Sequence, residues 1–326
     1  MTSSEKKRVV VIDALNMYFR AYIVDPSLST NGQPIGGLKG FLKILQKLVR
    51  ETSPDKVVVC WDGKGGSQKR KSLNKGYKEG RKPIRLNRSI RNLTEDQEVE
   101  NKIWQQTRLF EYLNCLPIIQ LVLDGVEADD IISSVVQHTE LSGWQKVIVS
   151  SDKDFFQLCD DETVLLRPIQ KEVLNKNLIV EKHGIHPTNF ALARAIAGDK
   201  SDNLPGVQGV GLPTVAKRLP FLSEEKSYTL SEILEYCEGV DSNVQAYKKI
   251  AEQFDKVELN YKMMQLYLPS IPIQGRQKID YSLQEFEYHF NKTEIRKMMI
   301  QDGFGEGNWN DLFQKMNRIS SENKEA

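Results

Sequence analysis

The chain has 326 residues, 40% of them apolar and 27% charged, with 45 Lys+Arg against 44 Asp+Glu. Those fractions exclude a disordered chain and fit either two domains or one domain with a large insertion. A formal net charge of +1 says nothing about partners, so any charge signal must be local. The four cysteines, Cys60, Cys115, Cys159 and Cys237, are widely spaced; they read as reduced core thiols, not as a disulfide or zinc framework. Met1–Lys7 is short and polar, and no apolar run approaches a membrane span. No leader or membrane helix is expected; the reduced thiols fit a cytoplasmic protein, and a monomer is the default.

In chain order, Val9–Ile12 reads as a strand and Leu38–Val49 as an amphipathic helix. Lys56–Trp61 and Ile118–Leu123 read as strands, Ala128–Val136 as a helix, and Lys146–Ser150 and Thr163–Leu166 as further strands. This alternation predicts an α/β fold with a mostly parallel central sheet. From about Val180 the pattern changes to helices: Asn189–Ala197, Leu212–Leu219, Leu230–Tyr236, Ser242–Phe254, Val257–Tyr267 and Thr293–Met299. The one strand-like run there is Lys278–Tyr281, and Ser320–Ala326 reads as frayed. The expected division is a catalytic domain over 1–180 and a helical domain over 181–317, with a disordered tail over 318–326.

Acids stand directly after three apolar runs. Asp13 follows Arg8–Ile12, Asp62 follows Val57–Trp61, and Ser151, Asp152 and Asp154 follow Val147–Ser150. Ligands of open α/β sheets bind at the carboxyl ends of the strands, so three strands deliver carboxylates to one edge. Crowded carboxylates repel one another unless a cation joins them, and hard divalent ions take oxygen ligands. Glu127, Asp129 and Asp130 open a helix after Gly125, more acids than capping needs. Asp199 and Asp202 stand at a helix C-terminus, where the macrodipole disfavours them. Nine acids in five segments point to two-metal phosphoryl chemistry.

Between Asp62 and Trp104 the alternation breaks. Lys64–Arg91 holds eleven Lys or Arg residues and one acid, Glu79. Such an insertion beside a carboxylate edge is where a polyanion would lie. A second motif, Leu204 to Lys217, carries Gly206, Gly209 and Gly211 ahead of a helix opening at Pro213–Thr214. Its backbone amides suit a phosphodiester read without base specificity, and a ligand-free helical hairpin is the even alternative.

Together these motifs resemble the 5′-nuclease family, in family order from about Val9 to Lys217. The quoted residues are Asp13 with Arg20, Asp62, Tyr77-Lys78-x-x-Arg81, Gly125-Val-Glu127-Ala-Asp129-Asp130 and Ser151-Asp152-Lys153-Asp154. Gly198-Asp199-Lys-Ser-Asp202-Asn203-Leu-Pro205-Gly206 and Gly209-Val-Gly211 complete the set. The resemblance implies that residues 64–100 form a basic helical arch and 203–218 a helix–hairpin–helix. It implies that Asp13, Asp62, Glu127 and Asp129 hold a first ion, with Asp130, Asp152, Asp154, Asp199 and Asp202 around a second, some through water. It places Lys78, Arg81 and Arg20 at the scissile phosphate, and Tyr77 stacked on a base. Lys69, Arg70, Lys71 and Arg85, with Gly206, Gly209, Gly211, Thr214 and Lys217, are the implied DNA contacts. Two departures are noted: Leu212-Pro213 stands where a charged residue is usual, and Ser150-Ser151 replaces Thr-Gly.

The implied function is a Mg²⁺-dependent 5′→3′ exonuclease and flap endonuclease with ribonuclease H activity, with Mn²⁺ able to substitute and a K⁺ at the hairpin. Its substrates would be branched DNA and RNA–DNA duplexes in replication and repair. Single-strand binding protein and a sliding clamp are the implied partners. The rivals are a ribonuclease of the PIN type, a non-catalytic junction binder and a protein-interaction module. The basic insertion and glycine hairpin speak against the first, and the complete set of acids against the second.

Overall fold

The computed structural model describes residues 6–81, 84–90, 93–240 and 243–323. Lys82 and Arg91 of the basic run, Ser242, most of the N-terminal segment and residues 324–326 lie outside them. The first half alternates as expected: β1 (Arg8–Asp13), α1 (Ala14–Val24), α2 (Gly36–Thr52), β2 (Lys56–Trp61), α3 (Gln68–Leu73), α4 (Glu95–Asn114), β3 (Ile119–Val122), α5 (Ala128–Val136), β4 (Gln145–Val149), β5 (Thr163–Arg167) and β6 (Glu172–Leu174). The sheet order is β3-β2-β1-β4-β5-β6; the first five strands are parallel and β6 is antiparallel to β5. Val9–Ile12 and Val57–Cys60 are fully buried, as strands covered on both faces must be. Because β2 and β4 both flank β1, the winding reverses there, and a crevice opens at the carboxyl ends. Asp13 ends β1 on one side of it, and the loop after β4 supplies the other side.

The second half begins with α6 (Lys176–His183) and α7 (Pro187–Ala197). A two-stranded hairpin, β7 (Gly198–Asp199) and β8 (Leu204–Pro205), leads to α8 (Leu212–Arg218). Six more helices follow: α9 (Leu230–Gly239), α10 (Gln245–Glu252), α11 (Phe254–Met264), α12 (Ile273–Gln284), α13 (Lys292–Gln301) and α14 (Asn310–Glu322). No described helix is long and apolar enough to cross a membrane. All four cysteines are free thiols.

Three expectations are corrected. Lys278–Tyr281 lies inside α12, not in a strand, because Ile279 and Leu283, one helical turn apart, are both buried. The tail does not begin at 318: α14 continues to Glu322, Ile319 is fully buried, and Ser320 Oγ donates to Tyr288 O at 2.6 Å. The insertion is also less helical than an arch implies. Among its described residues only α3 and the start of α4 are helical, and turns fill residues 75–80. The boundary near residue 180 does not divide the core, since one apolar cluster runs from Val9 to Ile319.

Candidate active site

The turn after each strand is set by local chemistry. Asp13 caps α1, its Oδ1 accepting Asn16 N at 3.1 Å, while Ser150 Oγ donates to Oδ2 at 2.9 Å. Asn16 then takes Ser151 N on its own Oδ1 at 3.1 Å, which ties the ends of β1 and β4 together. Asp62 Oδ1 accepts Ala128 N at 2.7 Å, capping α5 from a different strand. That approach needs Gly63: a Cβ there would meet Leu123 O at 1.7 Å. Asp152 Oδ1 accepts Asp154 N at 2.8 Å in a tight turn.

The nine acids are sorted by internal cations. On one flank Glu127, 2% exposed, accepts Ser67 Oγ at 2.7 Å, Arg70 at 2.5 Å, Lys78 Nζ at 2.6 Å and Tyr77 Oη at 3.2 Å. Arg70 also reaches Asp130 Oδ2 at 2.7 Å, and its Nε donates to Met263 O at 2.9 Å. On the other flank Arg194 joins Asp154 and Asp199, and Arg81 pairs with Asp202. Between the flanks Asp13, Asp62, Asp129 and Asp152 form no ion pair among the described residues.

Burial and these cations compete in setting protonation. Burial, with the charges of Asp62 and Asp152, pushes the Asp13 carboxyl up to about 7. Burial and then Asp152 and Asp13 push Asp129 well above the usual carboxylate range, and burial raises Asp152. Burial and Asp152 take Asp154 to about 7 despite Arg194. Burial opposes ionisation of Glu127, but Lys78 and Arg70 outweigh it and hold the carboxyl low. Asp199 behaves the same way under Arg194 and Ser201. An all-oxygen donor set whose members repel one another suits a hard divalent cation. Among the described residues, however, no three His, Cys, Asp or Glu side chains form a ready-made cage. Glu127, Asp130, Asp154 and Asp199 are turned toward internal cations instead. Mg²⁺ commonly takes one or two carboxylates and keeps waters or substrate phosphate for the rest, so the donors still fit it.

Several expected DNA contacts are placed differently. Tyr77 is 3% exposed, packed on Leu204, Met263 and Met264, so it orients Glu127 and presents no face to a base. Arg70 is a half-buried counter-ion, not a surface contact, because two carboxylates and a carbonyl use its fork. Lys78 points at Glu127, and its backbone N–H donates to Asp202 O at 2.9 Å. Arg85 is paired with Glu95 at 2.7 Å and Glu98 at 2.8 Å, closing the base of the insertion. Lys69 and Lys71 are exposed on α3. Arg20 is half-buried on α1, one turn beyond Asn16 on the same face, with no hydrogen bond or ion pair among the described residues.

The glycine hairpin is present. A Cβ at Gly206 would meet Ala197 O at 2.2 Å, and Gly209 has φ +78°. Gly211 caps α8, and Thr214 and Lys217 lie on that helix, half-buried and exposed. The amides of Thr214 and Val215 both donate to Gly211 O, at 2.9 and 3.0 Å, and Pro213 has none, so fewer amides than expected face a phosphate. Three participants were not anticipated. Arg194 reads in the sequence as an ordinary last-turn cation, Ser67 as part of a loop, and Lys249 Nζ, which donates to Gln208 O at 3.4 Å, as helix surface.

A parallel sheet thus carries carboxylates at its switch point, with a basic insertion over them and a helical hairpin beside them. Residues 8–184 match the family described as "5'-3' exonuclease, N-terminal resolvase-like domain". The chain is 32% identical over 230 residues to the 5'-3' exonuclease of Buchnera aphidicola, covering 70% of this chain and 75% of that one. It is 30% identical over 259 residues to the thermostable DNA polymerase I of Thermus aquaticus, covering 79% of this chain but only 28% of that longer protein. The bacteriophage T5 D15 flap endonuclease, solved with DNA and metal ions, superposes with a TM-score of 0.64 at 16% identity, over 92% of this chain and 100% of that one. The chain belongs to the 5′-3′ exonuclease family.

Proposed function

We propose that the chain is a Mg²⁺-dependent 5′→3′ exonuclease and flap endonuclease that uses two divalent ions. One observation carries this: four carboxylates from four segments, Asp13, Asp62, Asp129 and Asp152, lie within mutual electrostatic reach and form no ion pair among the described residues. Bound divalent ions would neutralise charge developing on the phosphate. Asp13, Asp62, Asp129 and Asp152 would hold them, and Glu127, Asp130, Asp154, Asp199 and Asp202 would act from the flanks. When DNA enters, its phosphates compete with Glu127 and Asp202 for Lys78 and Arg81, bringing both cations to the reacting phosphate. Arg20 is free to meet the same strand. The hairpin around Gly206, Gly209 and Gly211 would grip duplex backbone, with a K⁺ on its carbonyls. Such contacts are blind to base sequence, so binding should weaken steeply with salt.

The same site would act on RNA in RNA–DNA hybrids, which makes primer removal in replication the proposed role. A cytoplasmic setting, a monomeric state and a single-strand binding protein or sliding clamp as partner belong to that proposal. A junction binder without cleavage is the second reading, favoured by the occupied state of Glu127. All nine expected acids are present, and hydrolysis is therefore preferred.

The deciding experiment is cleavage of a 5′-flap duplex and a matched RNA-primed duplex, each in Mg²⁺ and in EDTA. Mg²⁺-dependent cuts near the junction support the proposal. Tight binding without cleavage, in Mg²⁺ or Mn²⁺, would replace it with the junction binder.

A further inference from the structure

One side chain at the site has no part in the chemistry proposed above. Arg194 leaves α7 one turn before Gly198 and is 9% exposed. Its Nε donates to Asp154 Oδ1 at 3.0 Å, one Nη to Gly198 O at 3.4 Å, and the other Nη to Asp199 Oδ2. Asp154 follows β4 and Asp199 sits in β7, so one guanidinium braces two walls of the crevice. A cation in the last turn of a helix is ordinary. Burial with two carboxylates from other segments exceeds what that role needs.

The bracing changes what the two acids can do. Asp199 Oδ1 already accepts both Ser201 N and Ser201 Oγ, each at 2.7 Å. A carboxylate offers about four lone-pair positions, and three of these are then in use. Asp154 has given one oxygen to the same guanidinium. A divalent ion bound directly by both acids would have to displace Arg194 or sit against its charge. Lysine could not replace this arrangement, because only the planar fork reaches two carboxylates together.

We propose that Arg194 is a positioning residue that keeps Asp154 and Asp199 off the second divalent ion, so that they reach it through water. The second site is therefore weak in the resting protein, and substrate phosphate completes it. This deepens the two-ion reading above and rests on it.

The test titrates Mn²⁺ calorimetrically into the metal-stripped full chain and repeats the titration for three variants. Wild type should bind one ion tightly and one weakly. R194M frees both acids and should tighten the weak phase by about tenfold, the scale of outer-partner changes at metal sites. R194K, able to hold one acid, should fall between. D199N keeps Arg194 and, since Asp199 acts only through water, should weaken the second phase by about tenfold without abolishing it. A weak phase lost in D199N, or unchanged in a folded R194M, overturns the proposal. If R194M does not fold, R194K and D199N decide it. Wild type that binds no Mn²⁺ would sink the metal-dependent reading itself, a separate outcome.

Discussion

The unpaired carboxylates should make the metal-free protein sensitive to alkali. Asp13 is 8% exposed, and its carboxyl is displaced from 3.8 to about 7. A native value above the unfolded one means that the folded state holds its proton more tightly. The stabilisation is complete below the unfolded value of 3.8 and is lost as the pH rises through about 7. The whole displacement corresponds to on the order of 4 kcal/mol, of which roughly half is lost between pH 5.5 and 8. For a chain of this length that half is roughly 3 °C in Tm. Scanning calorimetry in EDTA should therefore show a lower Tm at pH 8 than at pH 5.5. Saturating Mg²⁺ should raise the Tm more at pH 8, because an ion that binds only the folded state stabilises it and competes there with fewer protons. D13N should remove this contribution and stabilise the metal-free protein at pH 8. A metal-free Tm that rises from pH 5.5 to 8, or a D13N protein no more stable than wild type at pH 8, would refute the argument.

Other expectations follow from the flanks and the close approaches. K78A should slow single-turnover cleavage of a flap substrate by about 10²–10³-fold with little change in DNA affinity, since its charge acts on the transferring phosphate. An unchanged rate would leave Lys78 as a counter-ion to Glu127 and nothing more. R70M takes from the buried Asp130 its counter-ion and leaves Glu127 with Lys78 alone, and should cost about 3–5 kcal/mol in urea unfolding; a loss below 1 kcal/mol would mean that Asp130 relaxes into water. G63A places a methyl 1.7 Å from Leu123 O, so its Tm should drop sharply even in Mg²⁺, and an unaffected Tm would show that the loop can move.

The scaffold of the site was legible because it is written in short-range signals. Val9–Ile12 and Val57–Cys60 are uninterrupted β-branched-rich apolar runs of strand length, the pattern of a doubly covered parallel strand. An acid directly after each run then has one place to go. Gly206 and Gly209 were legible for a similar reason: one tolerates no side chain and the other has a backbone that few residues adopt. The pairing of acids with cations was not legible. Arg70 and Arg194 lie 57 and 40 residues from the acids Glu127 and Asp154 that they hold, and each looks locally like a solvated helix cation. Tyr77 illustrates the same limit. The family resemblance implied a stacking surface, whereas the hairpin and α11 fold over it. Lys278–Tyr281 misled because its alternation covers too few residues to separate the two periods.

The contacts behind Glu127 and Asp130 bear on how this molecule can be divided. Arg70 leans on Met263 O, and Ser270 N donates to Asp130 Oδ1 at 3.3 Å. Gln157 accepts Leu266 N at 2.7 Å and donates to Met264 O at 3.1 Å. The stretch from Met263 to Ser270 is thus a rear wall for acids that precede it by more than a hundred residues. The recognisable family segment ends at residue 184, but that limit marks likeness and not a folding unit. A fragment cut there would lose Asp199 and Asp202 outright, and would leave Arg70, Asp130 and Gln157 facing solvent where a carbonyl or an amide now meets them. Insertions, tags or fusions are therefore better tolerated at the exposed end of α14 than anywhere between 184 and 270.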